Sequence, residues 1–190
     1  VAGLEQALRS LGHQVIDRGN LLGPPNPMQP PKAGYRHLDE NVLWCERVRD
    51  AVYGSLTADE FPVLMGGDHA IAIGSVAGVA RYCAERGKDL VMLWLDAHAD
   101  FNTPETSPSG NIHGMPVAVI SGFGHKRLLD IGHSKPILNA SKIIQVGIRS
   151  VDAQEKLKVV EAGVTVYDMR LIDEIGMRAT MEKAISKIRR

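Results

Sequence analysis

Residues 96–100 read Asp-Ala-His-Ala-Asp and directly follow the apolar run Leu90-Val91-Met92-Leu93-Trp94-Leu95. A run of that length and character fits a strand buried on both faces. Metal-competent side chains at i, i+2 and i+4 project to one side of an extended segment, and the two intervening alanines crowd neither face. Two carboxylates and an imidazole, without thiolate, suit a divalent ion such as Mn, Fe, Co, Ni or Zn. Asp96 has two oxygens and could bridge two metals ~3.5–4 Å apart, while His98 and Asp100 serve one each. The plainer alternative is a strand-end aspartate capping the next loop beside a solvated histidine.

Two further segments carry groups of the same kind. His69 follows Gly66-Gly67-Asp68, where paired glycines let the backbone turn sharply and aim the imidazole at a sheet edge. Beside the Asp96–Asp100 run, His69 reads as a further metal ligand. Asp68 reads as the N-cap of the helix that follows, or as an acceptor orienting a ligand histidine. Ser109-Gly110-Asn111-Ile112-His113-Gly114 gathers hydroxyl, amide and imidazole on one loop. Such groups can hold a polar substrate's carboxylate and shuttle a proton, or serve only as a turn before a helix. His13, His37, His125 and His133 have no partner at ligand spacing and read as surface or structural residues.

Alternating strands and helices must position these groups. Leu4 to Leu11 has a helical stripe closed by Gly12, and His13–Asp17 alternates as a short strand. Gly23 to Gly34 carries five prolines and reads as a surface loop. The pattern predicts a helix over Leu38–Leu56, a strand over Phe61–Met65, and a helix over Ile71–Glu85 in which Ala72, Gly74, Ala77 and Gly78 allow close packing. A strand at 90–96, a loop at Asn102–Asn111 and a helix at Gly114–Ile120 come next. Then follow a strand at Lys142–Val146, a helix from Asp152 to about Glu161, a strand at Val164–Tyr167 and an amphipathic helix at Arg178–Arg190. Such alternation implies parallel βαβ units, hence an α/β fold with a doubly wound, mostly parallel sheet flanked by helices. Ligands of such sheets bind at the carboxyl ends of the strands, where all the chemistry-bearing segments fall.

Composition narrows the function. The 190 residues hold 22 Lys plus Arg and 22 Asp plus Glu, so no net field draws the chain to nucleic acid or to an acidic membrane surface. No stretch approaches the ~20 apolar residues of a membrane span, and the N-terminus lacks the features of a signal peptide. Cys45 and Cys83 fall in helical segments without CxxC spacing and read as buried free thiols, which fits a reducing, cytoplasmic setting. The length suits one domain, residues 1–190.

Together, Gly66-Gly67-Asp68-His69, Asp96-Ala97-His98-Ala99-Asp100 and Ser109-Gly110-Asn111-Ile112-His113-Gly114 resemble, in order, successive motifs of the arginase (ureohydrolase) family. The likeness runs across nearly the whole chain. It implies an arginase-like α/β/α sandwich, two Mn ions, and hydrolysis of L-arginine to L-ornithine and urea by a hydroxide bridging the metals. By the same resemblance His69 and Asp100 ligate one Mn, His98 the other, and Asp96 bridges both. His113 corresponds to the family's proton shuttle. Asn102, Ser109 and Asn111 correspond to residues gripping the substrate carboxylate, and Asp152 to the residue reading its α-amino group. A trimer or hexamer is implied as well. The family's first strand and its later Asp-x-Asp motif have no counterpart in these residues, so the expectation is an incomplete domain that is marginally stable and inactive alone. Other readings are a sister ureohydrolase acting on guanidinobutyrate, formiminoglutamate or agmatine, and an inactive binding subunit on the same scaffold.

Overall fold

The computed structural model describes residues 3–188. Its centre is a three-stranded, wholly parallel sheet in the order β1 (Met92–Leu95), β2 (Ile143–Ile148), β3 (Thr165–Asp168). The register pairs Met92 with Ile143 and Leu95 with Val146, then Ile144 with Thr165 and Val146 with Tyr167. Side chains alternate across the sheet, as the pleat requires. Met92, Trp94, Ile143 and Ile148 join the larger core, while Leu93, Ile144 and Val146 join the smaller one. Both faces of β2 are therefore covered, which is why it is almost wholly apolar, whereas Leu95 at the end of β1 is 63% exposed and β3 is only partly buried.

The first helix, α1 (Leu4–Ser10), buries no residue; on the larger side pack α2 (Leu38–Thr57), α3 (Ile71–Glu85) and α4 (Pro116–Ile120), with α6 (Ala153–Ala162) contributing Val159. On the smaller side Ile172 of α7 (Met169–Ile175) and Ala184 of α8 (Met177–Ile188) close over Ile144 and Val146. The small residues of α3 do what their spacing suggests. A side chain at Gly74 would strike the carbonyl of Cys45 on α2, and one at Gly78 would lie 2.7 Å from the Arg49 carbonyl. The two helices thus cross in backbone contact.

Cys45 is buried and Cys83 half-buried, both free. Burial pushes the Cys45 thiol up to about 12, so it behaves as a core hydrophobe. No helix among the described residues is long and apolar enough to cross a membrane.

Several elements depart from the sequence pattern. His13–Asp17 and Phe61–Met65 are not strands, because neither finds a ladder partner among the described residues. The helix expected over Gly114–Ile120 is a 3-10 turn at Ile112–Gly114 followed by α4, whose first residue Pro116 needs no donor there. Two short helices, α5 (Lys126–Leu129) and α7, lie in stretches where the pattern shows none. The C-terminal helix begins at Met177, and Arg189 and Arg190 lie outside the described residues.

Candidate metal centre and substrate cleft

β1 ends at Leu95, and the chain bends through Asp96 and Ala97 before running on to Asn102. The Asp96 N–H still donates to the Val146 carbonyl at 3.2 Å, so the aspartate leaves the sheet from a fixed point. Opposite it β2 bulges at Gly147, whose φ is 92°. A side chain on that glycine would sit 3.2 Å from the Asp96 carbonyl, so both the backbone angle and the close approach call for glycine.

The alternation predicted for residues 96–100 is not what brings the donors together. Asp100 adopts a left-handed backbone, φ 49°, so the segment is not extended throughout. The twist turns the Asp100 carboxylate toward His69. Asp100 Oδ2 lies 2.7 Å from His69 Nδ1, and Asp96 Oδ2 lies 3.1 Å from the same nitrogen. His69, Asp96 and Asp100 each offer a ligand atom within 4.8 Å of the others, close enough for one metal ion. The other Asp96 oxygen, Oδ1, faces His98 Nδ1 at 3.2 Å. Asp96 thus turns one oxygen to each histidine. His98 itself is exposed and stands outside the three-donor cluster.

The electrostatics favour a cation there. Asp100 is buried, and burial pushes its carboxyl above the ordinary range; His69 opposes the shift and the neighbouring Asp96 adds to it. Two carboxylates brought together in a partly dehydrated place repel each other unless positive charge joins them. The donor set, oxygen and imidazole with no sulfur, fits a divalent ion such as Mn, Fe, Co, Ni or Zn. His69 is steadied from below by Trp94, whose ring stacks on the imidazole with centroids 4.3 Å apart.

The cluster opens onto a cleft of about 290 Å³ lined by His98, Asp100, Asn102, Ser109, Asn111, His113 and Asp152. The sequence-derived substrate residues therefore share one cavity with two of the metal candidates, while the exposed His69 and the half-buried Asp96 do not line it. Asn102 is 8% exposed, gives its Nδ2 to Asp152 Oδ2 at 3.3 Å, and leaves Oδ1 without a protein partner. This links the two groups expected to hold the two ends of an amino acid head. The Ser109 hydroxyl accepts the Asn111 N–H at 3.2 Å, which shapes the loop. His113 stands in the 3-10 turn with Nδ1 3.7 Å from Asp68 Oδ2. Asp68 accepts the Ala70 N–H at 3.0 Å, and Ala70, not Asp68, is the helix cap.

The charged cleft residue that sequence reasoning missed is Glu155. Glu155 is 3% exposed and lines the cavity. Its Oε1 accepts the Phe101 N–H at 2.8 Å and its Oε2 the Asp152 N–H at 3.2 Å. Burial raises its carboxyl above the usual range, while these two donors pull the other way. The signal was available: Asp152-x-x-Glu155 is a capping-box pattern. Asp152 is the N-cap of α6, as expected.

A parallel sheet with an oxygen-and-imidazole cluster at its carboxyl end defines an α/β protein with a candidate divalent-metal site. The comparisons name the family. The chain matches the Arginase family over residues 2–190 and belongs to it. It is similar to the arginase of Brucella melitensis, 41% identical over 189 residues, which covers 99% of this chain and 61% of that protein. The arginase of Brevibacillus brevis is 38% identical over 98% of this chain and 61% of its own length. Among solved structures, the native arginase of Bacillus caldovelox superposes with a TM-score of 0.92 at 37% identity, covering 99% of this chain and 62% of that one. The chain thus spans about 61% of the length of the curated relatives it matches. The superposition establishes that the three strands and their helices are an arginase fold in part, consistent with an incomplete α/β/α sandwich.

Proposed function

We propose that this chain is part of an arginase-type hydrolase that converts L-arginine and water to L-ornithine and urea with a pair of manganese ions. The observation carrying the reading is that Asp96 turns one oxygen toward His69 and the other toward His98, beside a cleft lined by amide and hydroxyl groups. His69, Asp96 and Asp100 would hold one ion, with Asp96 and His98 holding the second. Bound there, the metal pair supplies Lewis acidity that brings the pKa of water toward neutrality.

The protein's own groups orient the substrate. Asn102, Ser109 and Asn111 hold the substrate carboxylate by hydrogen bonds, and Asp152 receives the α-amino group, tied to Asn102 at 3.3 Å. His113, on the same cleft, hands a proton to the departing ornithine amine. A cytoplasmic homo-oligomer of trimeric or hexameric order, built from one such domain per chain, completes the reading.

The test is urea release by the full encoded protein loaded with Mn2+, on L-arginine and on agmatine, which lacks the carboxylate. Turnover of arginine with at least a ~100-fold loss of kcat/KM on agmatine is expected, since unpaired carboxylate readers reject such an analogue strongly. No urea from arginine would sink the reading, and equal rates on both would sink the carboxylate assignment. The 190 residues alone offer two carboxylates in the site for two dications, so that length of chain is expected to release no urea.

A further inference from the structure

Hydrogen bonds clamp the backbone of the segment after β1 along its length. Asp96, His98 and Asp100 present side chains from a backbone held at several points: the Asp96 N–H donates to Val146, the Asp100 carbonyl accepts the Val117 N–H at 2.9 Å, and the residues beside them are tied as well. The Ala97 carbonyl accepts the N–H groups of Arg149 and Ser150, at 2.8 and 2.9 Å. Phe101 N–H goes to Glu155. The Ala99 carbonyl, between His98 and Asp100, accepts Nε2 of Gln145 at 2.6 Å.

Gln145 is the anomaly among these. It lies in the middle strand, opposite Trp94 in the ladder, and is fully buried, with Ile143, Ile144, Val146 and Ile148 around it in sequence. Its Oε1 has no protein partner. Burying an amide with an orphaned acceptor costs free energy that an aliphatic residue would not incur. The gain lies at Nε2. The Ala99 carbonyl belongs to the peptide whose plane sets the φ of Asp100, and Asp100 sits at 49°, a left-handed conformation that is uncommon outside glycine though more open to aspartate than to most residues, so a bond that fixes this peptide helps to select it.

We propose that Gln145 is a positioning residue for the metal centre: by holding the Ala99 carbonyl it fixes the peptide before Asp100 and so aims that carboxylate at the ion shared with His69. The inference rests on the reading of His69, Asp96 and Asp100 as a divalent-metal site. The test is Mn2+ titration of the full encoded protein, followed by electron paramagnetic resonance of the free ion, in the wild type and in Gln145→Met and Gln145→Leu. Thermal melting of the metal-free proteins is measured beside it. Both variants should fold and melt close to the wild type, while Mn2+ affinity falls by about 10-fold or more, the range seen when outer partners of ligands are removed. Co2+ absorption bands should shift as well, because the donor geometry changes and not only its strength. A residue serving the core alone would lower the melting temperature and leave affinity and spectrum unmoved. Affinity within about twofold of wild type in the folded variants overturns the proposal. Failure of both variants to fold also overturns it, since Gln145 would then be a requirement of the sheet. Asp100→Ala separates the two levels: if it too leaves Mn2+ binding intact, the metal-site reading fails, and if it abolishes binding where Gln145→Met does not, only the role of Gln145 fails.

Discussion

Two apolar runs of this chain, each leading on to chemistry, meet different fates. Ile143–Ile148 forms the middle strand, paired on both sides and buried, and delivers Asp152 to the cleft. Phe61–Met65 delivers His69, yet pairs with nothing among the described residues; Phe61 is 89% and Val63 59% exposed. The runs are alike in hydrophobicity, so the difference lies in whether a partner strand stands alongside. The cluster inherits that asymmetry. Asp96 and Asp100 come from a segment clamped at Ala97, Ala99 and Phe101, whereas His69 arrives on a stretch with no ladder partner among the described residues and is steadied by Trp94 and by the carboxylates it faces.

Hydrogen exchange of the 190-residue chain gives the largest expected contrast. The amides of β2 should be slowed by on the order of 10^3 or more relative to those of residues 61–65, which should exchange near the rate of an open chain. Mass-resolved exchange after a timed pulse checks this. Equal protection of the two segments would break the comparison outright, because a stretch with no ladder partner has no ladder hydrogen bonds to protect it.

Glu155→Ala probes the clamped side alone. It strands the N–H of Phe101 in a buried place, where an orphaned donor costs roughly 1–3 kcal/mol, and that of Asp152 in a part-buried one, where water offsets some of the loss. A loss of about 2–4 kcal/mol in the denaturant midpoint analysis is expected. Glu155→Gln, which keeps one acceptor, should lose about half of that. Less than ~0.5 kcal/mol for the alanine variant would mean that water replaces the carboxylate and that the clamp is not built from it.

How much of this was legible follows from how local each signal is. The helices Leu38–Thr57 and Ile71–Glu85 and the three paired strands were legible, because a periodic apolar pattern reports on its own face. Phe61–Met65 reads as a strand for the same reason and is not one, since a ladder needs a second chain segment that the run itself cannot specify. At the site, His69, Asp96, His98 and Asp100 are legible as residue types. The means of their convergence was not, because the pattern suggested simple alternation and the structure uses a left-handed Asp100. Glu155 was legible as the fourth residue of a capping box. Gln145 was not: its partner is a backbone carbonyl on another segment, and no side-chain pattern marks a carbonyl.

Trp94→Phe carries the smallest expected effect and tests the tethered side. The indole is 6% exposed, stacks on His69, and leaves Nε1 buried without a partner. Phenylalanine removes that orphaned donor, a gain of roughly 1 kcal/mol or more, and leaves a void of part of a ring, a loss of similar size. The two offset each other, so stability should stay within about 1 kcal/mol of wild type. The smaller ring still faces His69 but overlaps it less, and a stacked pair contributes about 0.5–1.5 kcal/mol. Mn2+ affinity of the full encoded protein should therefore fall only about 2- to 5-fold. If it falls as far as in Asp100→Ala, His69 is held chiefly by the indole. If it does not fall at all, the two carboxylates alone fix His69, and the distinction between a clamped and a tethered half of the cluster disappears.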